Sequence, residues 1–394
     1  MKPLLVCIAL LSVLFGVASA QVALPGDFLV ASYRSGGDAV YAITANTNTY
    51  RTVGTVITSN QIRGVLVGAN NTDYYVAAGA NVFKMTPAGV VTTVLPPLPT
   101  SGVWNDLDET GELLIGTTSS GGLLRLDPIS ATLMTLSGGF HPNCFCLDRD
   151  TGDIVVGNWT GRNVMRVKRD GTVTTVVSTF SSPYAADFLS TTGHILISNA
   201  SMILRLDALN TLTTFATGTG LVKSLAVLAN GNVAAGPHST VIDLYDSNGT
   251  KIGTPYNGAY LTKLCMVVED EHNLWGLNTP TAGAAFNVSI RFASHPGKPY
   301  VAAASFSPRP GIPVDARVVP LTPDNLFVLS LTIPQIFVNF AGVLDANGRA
   351  APRVLLPKIP GLKGLRIYLA AVVVDPKAPS AIAQISEQYG VTIQ

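Results

Sequence analysis

Charge is scarce in this chain. Only 12% of its 394 residues are Asp, Glu, Lys or Arg, and 25 basic residues against 24 acidic ones leave a net charge of +1. That balance builds no field for a nucleic acid or an anionic membrane, so neither is expected as a partner. Cysteine is scarce too. Of the four, Cys7 falls in a segment expected to be removed, which leaves Cys144, Cys146 and Cys265. A disulfide-stapled secreted fold carries more, usually in even number, so core burial has to supply the stability. Cys144 and Cys146 point the same way from one strand, which makes a poor disulfide. There is no phosphate-binding glycine loop, no nucleophile elbow and no His-Glu-x-x-His. Beyond the first twenty residues no apolar run reaches the roughly 18 residues of a membrane span.

Those first twenty residues read as a signal peptide, 1–20: Lys2, an apolar stretch over 4–17, then Ala18-Ser19-Ala20 as a cleavage site. Export is expected, to an extracellular or periplasmic location, with the mature chain starting at Gln21. The rest exceeds the usual size of one core, so two domains are expected. Its 37 glycines and 25 prolines, with 47% apolar residues, suit many short buried strands joined by tight turns.

What the sequence does have is a repeat. One phrase, a turn followed by apolar residues ending in a small one, recurs as Thr110-Gly-Glu-Leu-Leu-Ile-Gly116, Thr151-Gly-Asp-Ile-Val-Val-Gly157, Thr192-Gly-His-Ile-Leu-Ile-Ser198 and Asn230-Gly-Asn-Val-Ala-Ala-Gly236. Weaker copies end at Gly79 and Gly276, and the spacings between closing residues are 37, 41, 41, 38 and 40. A further copy, Gly26-Asp-Phe-Leu-Val-Ala31, opens the mature chain. Around each phrase lie a preceding strand, a third strand ending in a polar turn (Arg-Leu-Asp at 125–127 and 205–207), and a Thr/Val-rich fourth. Four antiparallel strands per forty residues is the pattern of a β-propeller. The recurring Arg-Leu-Asp is expected to close hairpins on the outer rim. The start (27–57) and the end (264–277) each hold part of a sheet; joined, they give six blades, and kept apart, seven.

The fold class expected is therefore all-β: a six-bladed, alternatively seven-bladed, propeller over 21–280, then a small β-sandwich over 284–394. Over 27–277 the repeated strand–Thr-Gly–strand phrases and Arg-Leu-Asp turns resemble the NHL-repeat, gluconolactonase-like and virginiamycin-lyase-like propellers. That resemblance implies the fold; the group contains hydrolases, lyases and binders, so it does not decide activity. After residue 284 the period stops, and short strands are expected at 286–292, 300–306, 326–331, 338–343, 353–356, 365–374 and 389–393. This part resembles a C-terminal module of secreted proteins of planctomycete-type bacteria, which implies no activity.

Ligands of propellers sit at the mouth of the central channel. Aligning the units places Arg63, Trp104, Asn105, Asp106, His141, Asn143, Tyr184, Asp187, Lys223 and Lys263 there. A gluconolactonase-like hydrolase, by resemblance, would hold a divalent cation, calcium in the first instance, on a Glu, Asn and Asp set. Asn105, Asp106, Asn143 and Asp187 have the oxygens, yet no Glu stands early on an inner strand. A lyase-like elimination would use His141, the one histidine at the mouth, as base. A thiol nucleophile would need a base beside Cys144, Cys146 or Cys265, and these read instead as small buried hydrophobes. The favoured reading is a secreted, non-catalytic binding or scaffold protein whose partner is a protein or carbohydrate surface. The alternative is a divalent-cation-dependent, lactonase-like hydrolase or lyase acting at the channel mouth.

Overall fold

A computed structural model describes residues 27–394 apart from 33–37, 45–48, 57–61, 69–72, 87, 95–97, 99–101, 109–110, 119, 229–230, 238–240, 258–262, 268–272 and 316. The expected signal peptide, 1–20, lies outside the described residues.

Among these residues six four-stranded antiparallel sheets follow one another. Five are built from consecutive strands, beginning with the inner strands Ile62–Val67, Gly102–Leu107, Pro142–Leu147, Ala185–Leu189 and Val222–Val227; we call these sheets B to F. The remaining one, sheet A, joins the two ends of the repeat region: Lys263–Val267 pairs with Asp27–Ser32, with Val30 opposite Cys265. Each inner strand packs against that of the next sheet, and Lys263–Val267 packs back against Ile62–Val67. The arrangement is that of a β-propeller. Its physical cause is visible in the second strands. Tyr74–Ala78, Leu113–Thr117 and Ile154–Asn158 are buried at every position, which a single sheet cannot achieve and neighbours on both faces can. The outer turns also touch the preceding sheet. Gly171 (φ 85°) and Gly249 (φ 91°) lie against the carbonyls of Leu136 and Phe215, where a Cβ has no room and the backbone is left-handed.

The Arg-Leu-Asp motif divides its work. The aspartate closes the hairpin as expected: Asp207 Oδ1 accepts from the N–H of Leu209 at 2.9 Å and Thr211 at 2.7 Å. Arg125 of the first copy instead reaches across its sheet to the turn between first and second strands, where its Nε lies 2.8 Å from Glu112. Arg166, at the equivalent place in sheet D but followed by Val-Lys, does the same, its Nη1 2.5 Å from Asp148.

Beyond the propeller the chain forms two further five-stranded sheets. Phe286, Val288 and Ile290 of one, and Tyr300, Ala302, Ala304, Ile367, Leu369, Ala371 and Val373 of the other, alternate along their strands and share one buried cluster. Leu274–Gly276, expected as a closing strand of the propeller, pairs instead with Ala285–Arg291, Trp275 opposite Ser289. A second departure is Asn325–Thr332, expected as a strand and found as an α-helix. The apolar run there gives no clear period, and the cap decides it. Asp324 Oδ1 accepts from Phe327 N–H at 2.9 Å, while its Oδ2 accepts from the Ser305 hydroxyl at 2.9 Å and Phe306 N–H at 2.7 Å. Asp324→Ala is expected to lower stability by about 1–2 kcal/mol, read from the urea midpoint, with Asp324→Asn closer to the parent.

The C-terminal unit shares its buried apolar cluster with propeller residues such as Tyr74, Val76 and Leu113, and polar groups add to that attachment. Arg309, Arg366, Tyr368, Glu387 and Gln388 converge on the turn that contains Arg149 and Asp150, and Arg309 also donates to the Ser190 carbonyl at 2.8 Å. These turns follow the inner strands, so the unit sits at the end of the propeller opposite the leading ends of those strands. No helix among the described residues is long and apolar enough to cross a membrane.

Candidate functional site

At the leading end of the inner strands a β-bulge recurs. The register against the second strand skips one residue between Ile62 and Gly64, Gly102 and Trp104, Pro142 and Cys144, and Val222 and Ser224. The skipped residues are Arg63, Val103, Asn143 and Lys223. In sheet A the skip on Lys263–Val267 falls at Leu264, beside Lys263. A bulge frees a residue from the ladder and re-aims it, so three candidates from the sequence occupy the places where the repeat breaks its own pairing. The side chains of Arg63, Trp104, Asn105 and Lys263 lie outside the described residues.

Four described candidates gather around sheets D, E and F. Asn143 Nδ2 donates to the Pro183 carbonyl at 2.5 Å, tying the leading end of sheet D to that of sheet E. Tyr184 presents its ring to Trp159, centroids 5.5 Å apart at 61°, and Lys223 Nζ lies 6.0 Å from the same Tyr184 ring. The carbonyl of His141 accepts from Trp159 N–H at 2.8 Å, and its own N–H donates to Asn158 Oδ1 at 3.2 Å. Trp159 is 38% exposed, and sequence reasoning missed it. Its one signal was a bulky aromatic just past the end of a second strand, at a turn where small and polar residues are usual. Asn158, which begins the sequon Asn-Trp-Thr, is buried, and its Nδ2 donates to Asn163 Oδ1 at 2.9 Å. The Lys223 ammonium has no carboxylate partner among the described residues, and burial lowers its pKa.

Asp106 and Asp187 do something else. Both stand deeper on their strands, opposite Leu114 and Leu196. Asp106 accepts from its neighbour Leu107 N–H at 2.7 Å and from Leu147 N–H of sheet D at 3.1 Å. Asp187 repeats this with Phe188 N–H and, on sheet F, Val227 N–H, both at 2.7 Å. Each is a latch from one inner strand to the next. Burial raises the pKa of Asp106 against the pull of Arg149 and the two N–H donors, and raises that of Asp187 to about 7 despite its two N–H donors. Cys146 holds the equivalent place on the sheet between them. It is fully enclosed, and burial together with Asp187 and Asp106 keeps its thiol well above the usual range; burial likewise pushes Cys144 to about 12. Both cysteines pack as small hydrophobes, beside Val155 and Phe188.

Each oxygen of the two carboxylates accepts one backbone N–H, and these four oxygens alone fall short of the six to eight that a calcium ion takes. Among the described residues no three His, Cys, Asp or Glu side chains are grouped to hold a metal.

Comparisons with known proteins add likeness of fold. No protein-family model matches the chain, and no curated protein matches it in sequence. Among solved structures it is similar to one from a nidogen/laminin complex, at 12% identity over 61% of this chain and 97% of that chain, with a TM-score of 0.51. It is also similar to regucalcin, a calcium-binding protein from Agrobacterium tumefaciens, at 16% identity over 58% of this chain and 81% of that one, TM-score 0.46. Virginiamycin B lyase from Staphylococcus aureus follows at 13% identity over 60% and 79%, TM-score 0.40. Such identities speak of fold alone.

Proposed function

We propose that this is a secreted binding protein, a six-bladed propeller closed by Lys263–Val267 and followed from Leu274 by a β-sandwich that serves as spacer or surface-association module. The ligand enters at the leading ends of the inner strands. The observation that supports this most is the recurring bulge, which takes Arg63, Asn143 and Lys223 out of the ladder at one end of the ring. An exposed indole, a tyrosine edge-on to it and an ammonium without a carboxylate form a shelf for a ring-shaped, negatively charged group. The partner class we assign is an acidic polysaccharide surface. The carboxylates that a cation-dependent hydrolase or lyase would use are occupied in holding neighbouring strands together.

Polygalacturonate is expected to quench the tryptophan fluorescence of the full chain, while neutral dextran leaves it unchanged. Trp159→Ala should remove the signal, and Lys223→Gln should weaken binding about tenfold, the value of one charge-assisted contact. No response in the parent protein would sink this ligand class. A parallel calcium titration followed by thermal melting tests the enzyme alternative, because an ion that binds only the folded state must raise the midpoint. No rise is expected at millimolar calcium. A rise abolished by Asp106→Ala would overturn the non-catalytic reading.

A further inference from the structure

The repeat itself points to a second site, at the opposite end of the propeller. The third strands carry Arg125, Arg166 and Arg205 at equivalent places, opposite Leu114, Val155 and Leu196 of their second strands. In sheets C and D the guanidinium lies between two acids. Arg125 has Glu112 at 2.8 Å and Asp108 at 3.7 Å, and Arg166 has Asp148 at 2.5 Å and Asp153 at 3.9 Å. In sheet B a Lys84–Asp73 pair at 2.8 Å does the same with one acid. In sheet E both acids are gone. By register, Leu189 stands where Asp108 and Asp148 stand, and His194 where Glu112 and Asp153 stand.

Arg205 is left without an acid. Its guanidinium lies 5.2 Å from the Phe215 ring centroid. Among the described residues its enclosed Nε, like that of Arg125, has no aligned hydrogen-bond acceptor, but unlike Arg125 it has no acid at ion-pair distance either. His194 Nδ1, on the same face of the sheet, is also enclosed and without a hydrogen-bond partner among the described residues. Burial first, then Arg205, lowers the pKa of His194. The other charges that act on His194 are Asp207, Arg309 and Asp150. Arg309 and Asp150 are paired to each other at 3.0 Å, and Asp207 Oδ1 is held by the N–H groups of its own turn. A buried donor without an acceptor is destabilising, and an arginine fork matches the oxygens of a planar or tetrahedral anion.

We infer that Arg205 and His194 form an oxyanion site on sheet E, near the C-terminal unit, where a carboxylate or phosphate group of a ligand stands in for the two side-chain acids that sheets C and D supply. The site is separate from the shelf at Trp159 and does not depend on it.

The test compares thermal midpoints of the full chain in phosphate and in chloride at equal ionic strength, with acetate as a parallel arm that separates carboxylate from phosphate. Phosphate also stabilises proteins non-specifically, so the readout is the gain of the parent over that of the variants. At about 50 mM phosphate the parent is expected to gain about 3 °C more than Arg205→Gln. His194→Glu restores the acid that Glu112 provides in sheet C. It should raise the midpoint in chloride and lose the extra gain in phosphate, and it carries the test if Arg205→Gln fails to fold. A gain in acetate alone would assign the site to carboxylates. Equal gains in the parent and both variants, or a His194→Glu protein that keeps the full gain, would overturn the inference.

Discussion

Asp187→Ala is expected to cost about 2–4 kcal/mol of unfolding free energy at pH 5, because two enclosed N–H groups lose their acceptor, and clearly less at pH 8. The pH dependence follows from the raised pKa. Burial moves Asp187 from 3.8 to about 7 in the folded protein. Between those values the native state holds a proton that the unfolded chain has released, so this group's contribution is full below pH 4 and is lost as pH rises toward 7. A shift of that size is worth at most roughly 4 kcal/mol. Parent and variant should therefore converge in urea midpoint as pH rises. Asp106 makes the same latch between sheets C and D, and Asp106→Ala should show the same trend, since its pKa is raised too. A cost that grows with pH would mean that Asp187 is an ionised partner of Arg149, and that its role is electrostatic.

The repeat was the most legible feature, because burial between neighbouring sheets forces the same apolar phrase into each unit. The inner strands of sheets C to F begin at Gly102, Pro142, Ala185 and Val222, in step with the repeat, and the two ends of the repeat region share a sheet. What failed to show in the sequence was whatever depends on a partner distant along the chain. Asp106 and Asp187 carry the chemistry of a channel site, and only the structure reveals that their oxygens serve N–H groups 41 and 40 residues further on. The bulges leave no mark because the skipped residues, Arg63, Val103, Asn143 and Lys223, share no chemistry. Leu274–Gly276 copies the repeat phrase in miniature, and a three-residue strand takes the partner that tertiary packing offers. The 325–332 helix was hidden by an apolar run with no clear period, although Pro323-Asp324 ahead of it was a legible start signal.

Asp150→Ala is the substitution expected to separate the two units. The carboxylate of Asp150 takes both Arg309 Nε at 3.0 Å and Arg309 Nη2 at 3.1 Å, and it also accepts from Gln388 Nε2. Alanine keeps the backbone carbonyl that receives the Tyr368 hydroxyl at 2.5 Å and Arg366 Nε at 3.1 Å, but it leaves a half-buried guanidinium with only the Ser190 carbonyl. Removing one partner of such a pair costs more than the pair contributes, because the remaining charge stays desolvated. A loss of about 2–4 kcal/mol is expected. Since Asp150 belongs to the turn of one sheet and Arg309 to the C-terminal unit, the loss should fall on their coupling. A single urea transition in the parent would become two in the variant. Asp150→Asn keeps one oxygen for Arg309 and should lie between. Asp170→Ala removes the same charge from an exposed turn and should leave a single transition at the parent midpoint. A single transition in Asp150→Ala, unshifted from the parent, would show that the apolar cluster shared by the two units suffices to couple them and that the Asp150 cluster only orients them.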